Sequence, residues 1–298
     1  MNTPSLTFGQ VTVYLGAKNG KYPDGNQVVV QGSDTKVIFD TPLVANNLKA
    51  ELAGTDMVIL GHVHEDHTAG IHLLPESVVL AHEADVNAIR SVAGLLNHYG
   101  MPPEPSEKMV PFVTEKFFFQ PRPDAQSYCS EQSWDVGRST ITALHTPGHT
   151  GGHSALLVEP EGILFIGDID LSSFGPYYGD GCSNLQDFRR SINRLKQIEA
   201  KVWVTSHHKG IISERETFLD LLQAFATKID QREAAILEVI GEKPRTLHDL
   251  VAHRFVYPTW YDGLWAESCE TYTITRHLDE MLANGTVLKD EELYRLAA

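Results

Sequence analysis

The sequence predicts an α/β fold followed by a small helical C-terminal domain, and three observations carry that reading. Short, nearly continuous apolar runs such as Met57-Val58-Ile59-Leu60, Ile163-Leu164-Phe165-Ile166 and Val202-Trp203-Val204 have the length and β-branched content of buried strands. Segments of helical spacing lie between them and dominate from about residue 226. At 298 residues, 42% of them apolar, the chain is long enough for one large domain or two and can bury a substantial core.

Residues 8–60 read as alternating strands and turns, with strands at 11–15, 27–31, 36–39 and 55–61 and a Gly/Asn/Pro-rich turn through Gly25. A single helix is predicted over 83–99, because Val86, Ile89, Val92 and Leu96 share one side and Gly100-Met101-Pro102-Pro103 ends it. Residues 100–128 hold six prolines and the run Phe117-Phe118-Phe119, which predicts an irregular insertion beside the pocket or at a subunit contact. Strands follow at 141–146, 162–167 and 202–206. Beyond residue 226, helices are expected at 235–240, 246–251 and 268–283, and a small hairpin at 284–296.

The chemistry is concentrated in His62-Val63-His64-Glu65-Asp66-His67, four potential metal ligands in six positions directly after an apolar strand. Imidazole nitrogen and carboxylate oxygen without cysteine sulfur suit Zn²⁺ above all, with Fe²⁺ or Mn²⁺ as alternatives. Later strand ends carry further donors. One strand runs into Thr146-Pro147-Gly148-His149, a second stops at Gly167-Asp168 with Asp170 just beyond, and a third ends in Ser206-His207-His208.

HxHxDH, a PGH turn, a strand ending in GD and a strand ending in SH, in that order over about residues 8–225, resemble the metallo-β-lactamase-fold hydrolases of glyoxalase II-like type. The resemblance implies a four-layer αββα sandwich over 1–225. It implies two divalent metal ions, one held by His62, His64 and His149 and one by Asp66, His67 and His207, with Asp168 bridging them and His208 the alternative to His207. The implied activity is hydrolysis of a small acyl substrate, a hydroxyacylglutathione-type thioester or a lactone, by a metal-bridging hydroxide that Asp66 orients. Asp66 would later help to protonate the leaving group.

Asp40 resembles the early strand-end aspartate of the family and is expected to accept a hydrogen bond from a ligating histidine. His145 and His153 are expected to support or pack against the site, and His72 and His82 to lie at the surface or in the core. Glu65 is expected at the surface or behind the ligands. Tyr177 or Tyr178 would either face a developing oxyanion or form the wall. Two alternatives compete with hydrolysis of an acyl compound: a mononuclear iron persulfide dioxygenase-like enzyme using the His62, His64 and Asp168 side, and a metal-dependent nuclease.

The segment 226–298 resembles a winged-helix domain. Residues 227–298 carry 8 Lys/Arg against 13 Asp/Glu, so a basic recognition helix is missing and a structural or dimer-forming cap is expected. The net charge of −15 also counts against a nucleic-acid partner and leaves a small molecule as the expected substrate. Cys129, Cys182 and Cys269 form no CxxC pair, which suggests neither a thiolate site nor a disulfide framework. No basic leader with an apolar run opens the sequence and no stretch reaches membrane-spanning length, so a cytoplasmic protein is expected.

Overall fold

The computed structural model describes residues 3–297; Met1 and Asn2, part of the stretch read above for a leader, and Ala298 lie outside the described residues. Two sheets face each other. The first has seven strands in sequence order: β1 (Ser5–Phe8), β2 (Val11–Tyr14), β3 (Gln27–Gln31), β4 (Lys36–Phe39), β5 (Met57–Ile59), β6 (Val78–His82) and β7 (Gln126–Tyr128). The second contains β8 (Ser133–Asp135), β9 (Thr140–His145), β10 (Ser154–Glu159), β11 (Ile163–Phe165), β12 (Val202–Val204) and β13 (Ile211–Ile212), ordered β13-β12-β11-β10-β9-β8.

Side-chain alternation along these strands builds the layers. Val37 and Phe39 on β4, and Ile163 and Phe165 on β11, turn inward and pack with Ile59, Ile141, Leu156 and Val204 between the sheets. Ile38 on β4 and Leu164 and Trp203 in the second sheet turn outward beneath helices. Trp203 stacks on Phe218 with ring centroids 4.6 Å apart. Helices therefore cover both outer faces and the architecture is the expected αββα sandwich.

Three parallel pairings decide where the polar strand ends go. Phe39 pairs with Ile59 and Ile59 with Leu80 in the first sheet, and Phe165 pairs with Val204 in the second. Parallel neighbours end on the same side, so Asp40 falls beside the run that starts at His62, and Asp168 falls beside His207.

The single helix expected over 83–99 is two, α1 (Val86–Arg90) and α2 (Val92–Tyr99). Ser91 between them is extended, and its hydroxyl accepts a hydrogen bond from the Gly94 amide, which starts α2 afresh as an N-cap. The insertion at 100–128 is not irregular throughout: α3 (Pro103–Pro111) leads into a π-helical turn at Phe112–Lys116. Pro103 sits in the first turn, where its missing N–H costs nothing and its fixed φ favours the helix.

On the second sheet lies α4 (Leu185–Leu195), capped by Asn184. Next, α5 (Arg215–Glu242) runs unbroken through position 226, so one helix serves both the sandwich and the C-terminal unit. That unit continues with β14 (Arg245–Thr246), α6 (Leu247–His253), α7 (Ala266–Ala283), β15 (Val287–Asp290) and β16 (Leu293–Leu296), with β14 and β15 flanking β16. Thr246 and Asp249 form the capping box that opens α6. Ile236, Ile240, Leu250, Ile274, Leu278 and Val287 make its separate core. Among the described residues no helix is long and apolar enough to cross a membrane.

Candidate metal centre

The strand ends bring the predicted donors together in two adjoining groups, and Asp168 faces both. In the first, His149 Nε2 lies 3.2 Å from His62 Nε2 and 3.1 Å from His64 Nδ1, and Asp168 Oδ2 stands 3.4 Å from His149 Nε2 and 3.9 Å from His62 Nε2. In the second, His207 Nε2 lies 3.3 Å from His67 Nε2 and 3.1 Å from Asp66 Oδ2. The other oxygen of Asp168, Oδ1, stands 3.0 Å from His67 Nε2 and 3.4 Å from His207 Nε2.

These separations fit metal binding. Donor atoms about 2.0–2.1 Å from a tetrahedral ion stand about 3.3–3.4 Å from one another. The outer ring nitrogens settle which atoms point inward. His149 Nδ1 donates to the Tyr177 carbonyl at 2.9 Å, His207 Nδ1 faces the Gly20 and Asp24 carbonyls, each at 2.8 Å, and His67 Nδ1 meets Asp40 Oδ2 at 2.8 Å. Each of these rings then points its Nε2 at the centre. His64 is turned the other way, with Nδ1 inward and Nε2 3.1 Å from Asp180 Oδ2. Ring nitrogens this close repel unless a proton or a shared cation lies between them, and Asp168 Oδ1 is buried without a hydrogen bond. His62, His64, His149 and Asp168 can hold one ion, and Asp66, His67 and His207, with Asp168, a second.

Local backbone explains how the donors are aimed. Asp40 adopts a left-handed conformation (φ 52°), which lets its carboxylate turn back to accept from the Gly61 amide at 2.7 Å as well as from His67. Gly148 has φ 132°, and a Cβ there would lie 2.3 Å from the Phe188 backbone, so the PGH turn needs glycine. Asp85 closes the same turn, accepting from Thr150 Oγ1 at 2.6 Å and the Gly152 amide at 2.7 Å.

Burial opposes every charge here. It prevails at His62, which is held well below the usual imidazole value, and at Asp40 and Glu65, which are raised. At Asp168, His64 and His207 the pairing of charges outweighs it. Asp168 stays well below the usual carboxylate range despite burial, because His67, His207 and His62 surround it. His64 is lifted to about 9 by Asp180 and then Glu65, and His207 to about 10 by Asp168 and Asp66, in each case against burial. His153, by contrast, is pushed down to about 3, mainly by burial and then by His149. Its Nε2 accepts the Asp168 amide at 3.2 Å, which holds the bridging residue by its backbone.

Other expectations divide. Asp40 supports His67 as expected, and His145 packs away from the donors, stacked on His82 at 4.2 Å. His72 is half-buried beside Phe118. His208 lies outside the donor groups, with Nε2 3.6 Å from Asp170 Oδ2. Glu65 is not at the surface: it is buried, accepting from Tyr99 at 2.5 Å and Tyr22 at 3.2 Å, because the tight turn at Glu65–His67 aims it into the pocket wall. Tyr178 faces away and contacts His277 Nε2 at 2.9 Å, whereas Tyr177 lines the pocket with its hydroxyl donating to Asp180 Oδ1 at 3.2 Å. Asp180 itself was not foreseen. It lies twelve positions beyond Asp168 in an irregular loop, and no spacing rule marks it.

A cavity of about 340 Å³ opens over the donors. Tyr22, Tyr99, Met101, Met109, Phe174 and Tyr177 form much of its wall. Tyr257, Tyr261 and Trp265 close it from the segment between α6 and α7, also unforeseen in the sequence. Among the described residues, no Lys or Arg lines it.

Comparison with known proteins agrees with this construction. Residues 23–223 match the metallo-beta-lactamase superfamily. The chain is 23% identical to a beta-lactamase-like protein 2 homolog of Drosophila melanogaster, over 98% of this chain and 90% of that one. It is 27% identical to an atrochrysone carboxyl ACP thioesterase of Passalora fulva, over 80% of this chain and 66% of that one. A metallo-beta-lactamase family protein from Thermus thermophilus shares the fold with a TM-score of 0.69 at 23% identity, over 96% of this chain and 98% of that one. The matched span contains all seven donors, and the chain belongs to the metallo-beta-lactamase superfamily.

Proposed function

We propose that this metal-dependent hydrolase cleaves a thioester with an apolar acyl group, using two divalent ions, zinc first among them with iron or manganese as alternatives. The observation that carries this reading is the cavity wall beside the donors: aromatic and methionine side chains with carboxylates at the base and no Lys or Arg. Such a wall suits an apolar acyl group and offers no counter-charge to a glutathione carboxylate or a phosphodiester. A thioester is favoured over a lactone because a relative matching most of this chain is named a thioesterase. The trio of Asp66, His67 and His207 favours two ions over the single iron of a dioxygenase.

When bound, two ions would bring the pKa of a water towards neutrality and polarise the acyl carbonyl. The chain's own residues do the rest. Asp66, buried and held below the usual carboxylate range despite burial by His67 and His207, accepts hydrogen bonds and can orient a water. It can then carry the water's proton to the departing thiolate, which needs little help because a thiol is already acidic. The aromatic wall excludes bulk water and positions the acyl group.

The test is hydrolysis of uncharged N-acetylcysteamine thioesters, followed by thiol release. Metal-dependent turnover that improves from an acetyl to an arylacyl or medium-chain acyl group is expected. Turnover confined to lactones or to phosphodiesters would overturn the substrate reading.

A further inference from the structure

The two metal positions are braced from different parts of the molecule, and one brace comes from the C-terminal unit. We infer that this unit sets the affinity of the position formed by His62, His64 and His149, acting through Arg276 and Asp180, and leaves the Asp66, His67 and His207 position to the sandwich. The inference rests on the two-metal reading above.

The loop from 171 to 183 leaves the strand end that carries Asp168 and has no helix or strand of its own. It touches two of the three imidazoles of the first position, His149 and His64. The Tyr177 carbonyl accepts from His149 Nδ1 at 2.9 Å, Ser183 Oγ donates to the His149 carbonyl at 2.7 Å, and Asp180 Oδ2 faces His64 Nε2 at 3.1 Å. A loop without a sheet ladder must be fixed by other partners: the Tyr99 and His98 carbonyls accept from the Gly181 and Cys182 amides at 2.8 and 3.2 Å, and further partners come from α7 and α5.

Arg276, half-buried on α7, spends its guanidinium on the backbone of this loop. Nη1 donates to the Tyr178 carbonyl at 3.1 Å, Nε and Nη2 to the Ser183 carbonyl at 3.0 and 2.8 Å, and Nη2 also to the Asp180 carbonyl. Arg232 on α5 does the same for the preceding turn, donating to the Phe174 carbonyl at 2.8 Å and to the Pro176 carbonyl. A planar fork with five donors fixes several carbonyls at once, which a flexible ammonium cannot do. Tyr272, one turn before Arg276 on α7, stacks under the guanidinium at 5.0 Å and donates to the Gly100 carbonyl at 2.6 Å.

The second position has no such dependence. The hydrogen bonds that orient His67 and His207 come from Asp40, Gly20 and Asp24, all in the sandwich. Removing the Arg276 fork takes away the loop's C-terminal brace and loosens Asp180, the group that orients His64, although the Gly181 and Cys182 amides stay bonded. Partners of ligating histidines typically contribute 10–100-fold in metal affinity, so a loss of about tenfold or more is expected at one position alone.

The experiment titrates metal-free protein with Zn²⁺ against a chromogenic chelator, in single-position backgrounds. His207→Ala leaves the first position to be read and His64→Ala leaves the second. Arg276→Gln is expected to weaken Zn²⁺ binding by about tenfold or more in the His207→Ala background and by less than twofold in the His64→Ala background, with Arg276→Lys recovering only part of the loss. Equal weakening in both backgrounds, or in neither, overturns the inference. Should Arg276→Gln fail to fold, Asp180→Asn keeps the backbone clamp and size while removing the charge facing His64, and the same comparison decides. Wild-type protein that takes up a single Zn²⁺ overturns the two-metal reading itself, independently of the Arg276 comparison.

Discussion

Asp40 Oδ2 lies 2.8 Å from His67 Nδ1, and both residues are buried. The aspartate ends β4 and the histidine follows β5, so parallel pairing of these strands is what brings them together. Because Asp40 takes the outer nitrogen, His67 presents Nε2 to Asp168. Replacing Asp40 by Asn retains the left-handed backbone, which asparagine tolerates, but removes the charge. Zn²⁺ affinity at the Asp66, His67 and His207 position should fall about 10–100-fold, read by competitive titration. Unchanged affinity would show that the contact is only structural.

Asp168 and Asp170 provide an internal comparison. Asp168 divides its oxygens between the two groups, whereas Asp170 stands beside His208. Asp168→Asn should reduce bound metal at both positions and slow thiol release by about a hundredfold or more. Asp170→Asn should leave metal content at the wild-type level. Metal analysis after gel filtration checks both, and equal losses in the two variants would remove Asp168 from its bridging place.

The metal-free protein has a calculable response to pH. His64 at about 9 and His207 at about 10 lie above the ordinary imidazole value of 6.5. Their contribution to stability is fully present below pH 6.5 and is lost as pH rises through 9 to 10. His153, at about 3, has the opposite sign: its contribution is present above pH 6.5 and is lost as pH falls towards 3. Metal loading must displace the protons on His64 and His207, so it releases protons and tightens as pH rises. Calorimetric titration in buffers of different ionisation enthalpy measures that release; its absence at pH 7 would contradict these charge states.

Trp265 forms the far wall of the cavity and donates through Nε1 to Tyr257 at 3.1 Å. Trp265→Ala should raise KM for a bulky acyl thioester by about tenfold, in keeping with the loss of aromatic contact area. It should leave the acetyl thioester within twofold. Equal effects on both substrates would place Trp265 in folding and not in acyl selection.

Glu270 is fully buried and accepts the amides of Phe255, Val256 and Tyr257 at 2.9, 2.9 and 2.8 Å. These bonds shape the segment that carries Tyr257 and Tyr261. Glu270→Leu leaves three donors without their acceptor and should cost about 2–4 kcal/mol in denaturant unfolding. A cost below 1 kcal/mol would mean that the amides find water instead.

Much of the centre was legible because strand ends announce themselves: an apolar run followed by His or Asp is a local pattern, a Pro-Gly turn presents His149, and the family resemblance sorted these candidates into seven donors. The four layers were legible from the same runs together with the family resemblance. Asp180 and the Tyr257 to Trp265 segment were missed for one shared reason. Each reaches the site by a loop or tight turn whose course depends on distant partners such as Arg276 and Glu270, and local periodicity carries no record of them. The split at Ser91 was hidden by apolar spacing that continues across it, although serine before Val92 is an N-cap signal. In 100–128, counting prolines obscured that one of them sits where a helix starts.

The central claim is a two-metal thioesterase, and the most direct measurement is stepwise Zn²⁺ titration of metal-free protein with thiol release from an uncharged arylacyl thioester as the signal. Activity should be near zero without metal and reach its plateau at two equivalents per chain. Thiol release at full rate in the metal-free protein, or no hydrolysis at any loading with Zn²⁺, Fe²⁺ or Mn²⁺, would contradict it.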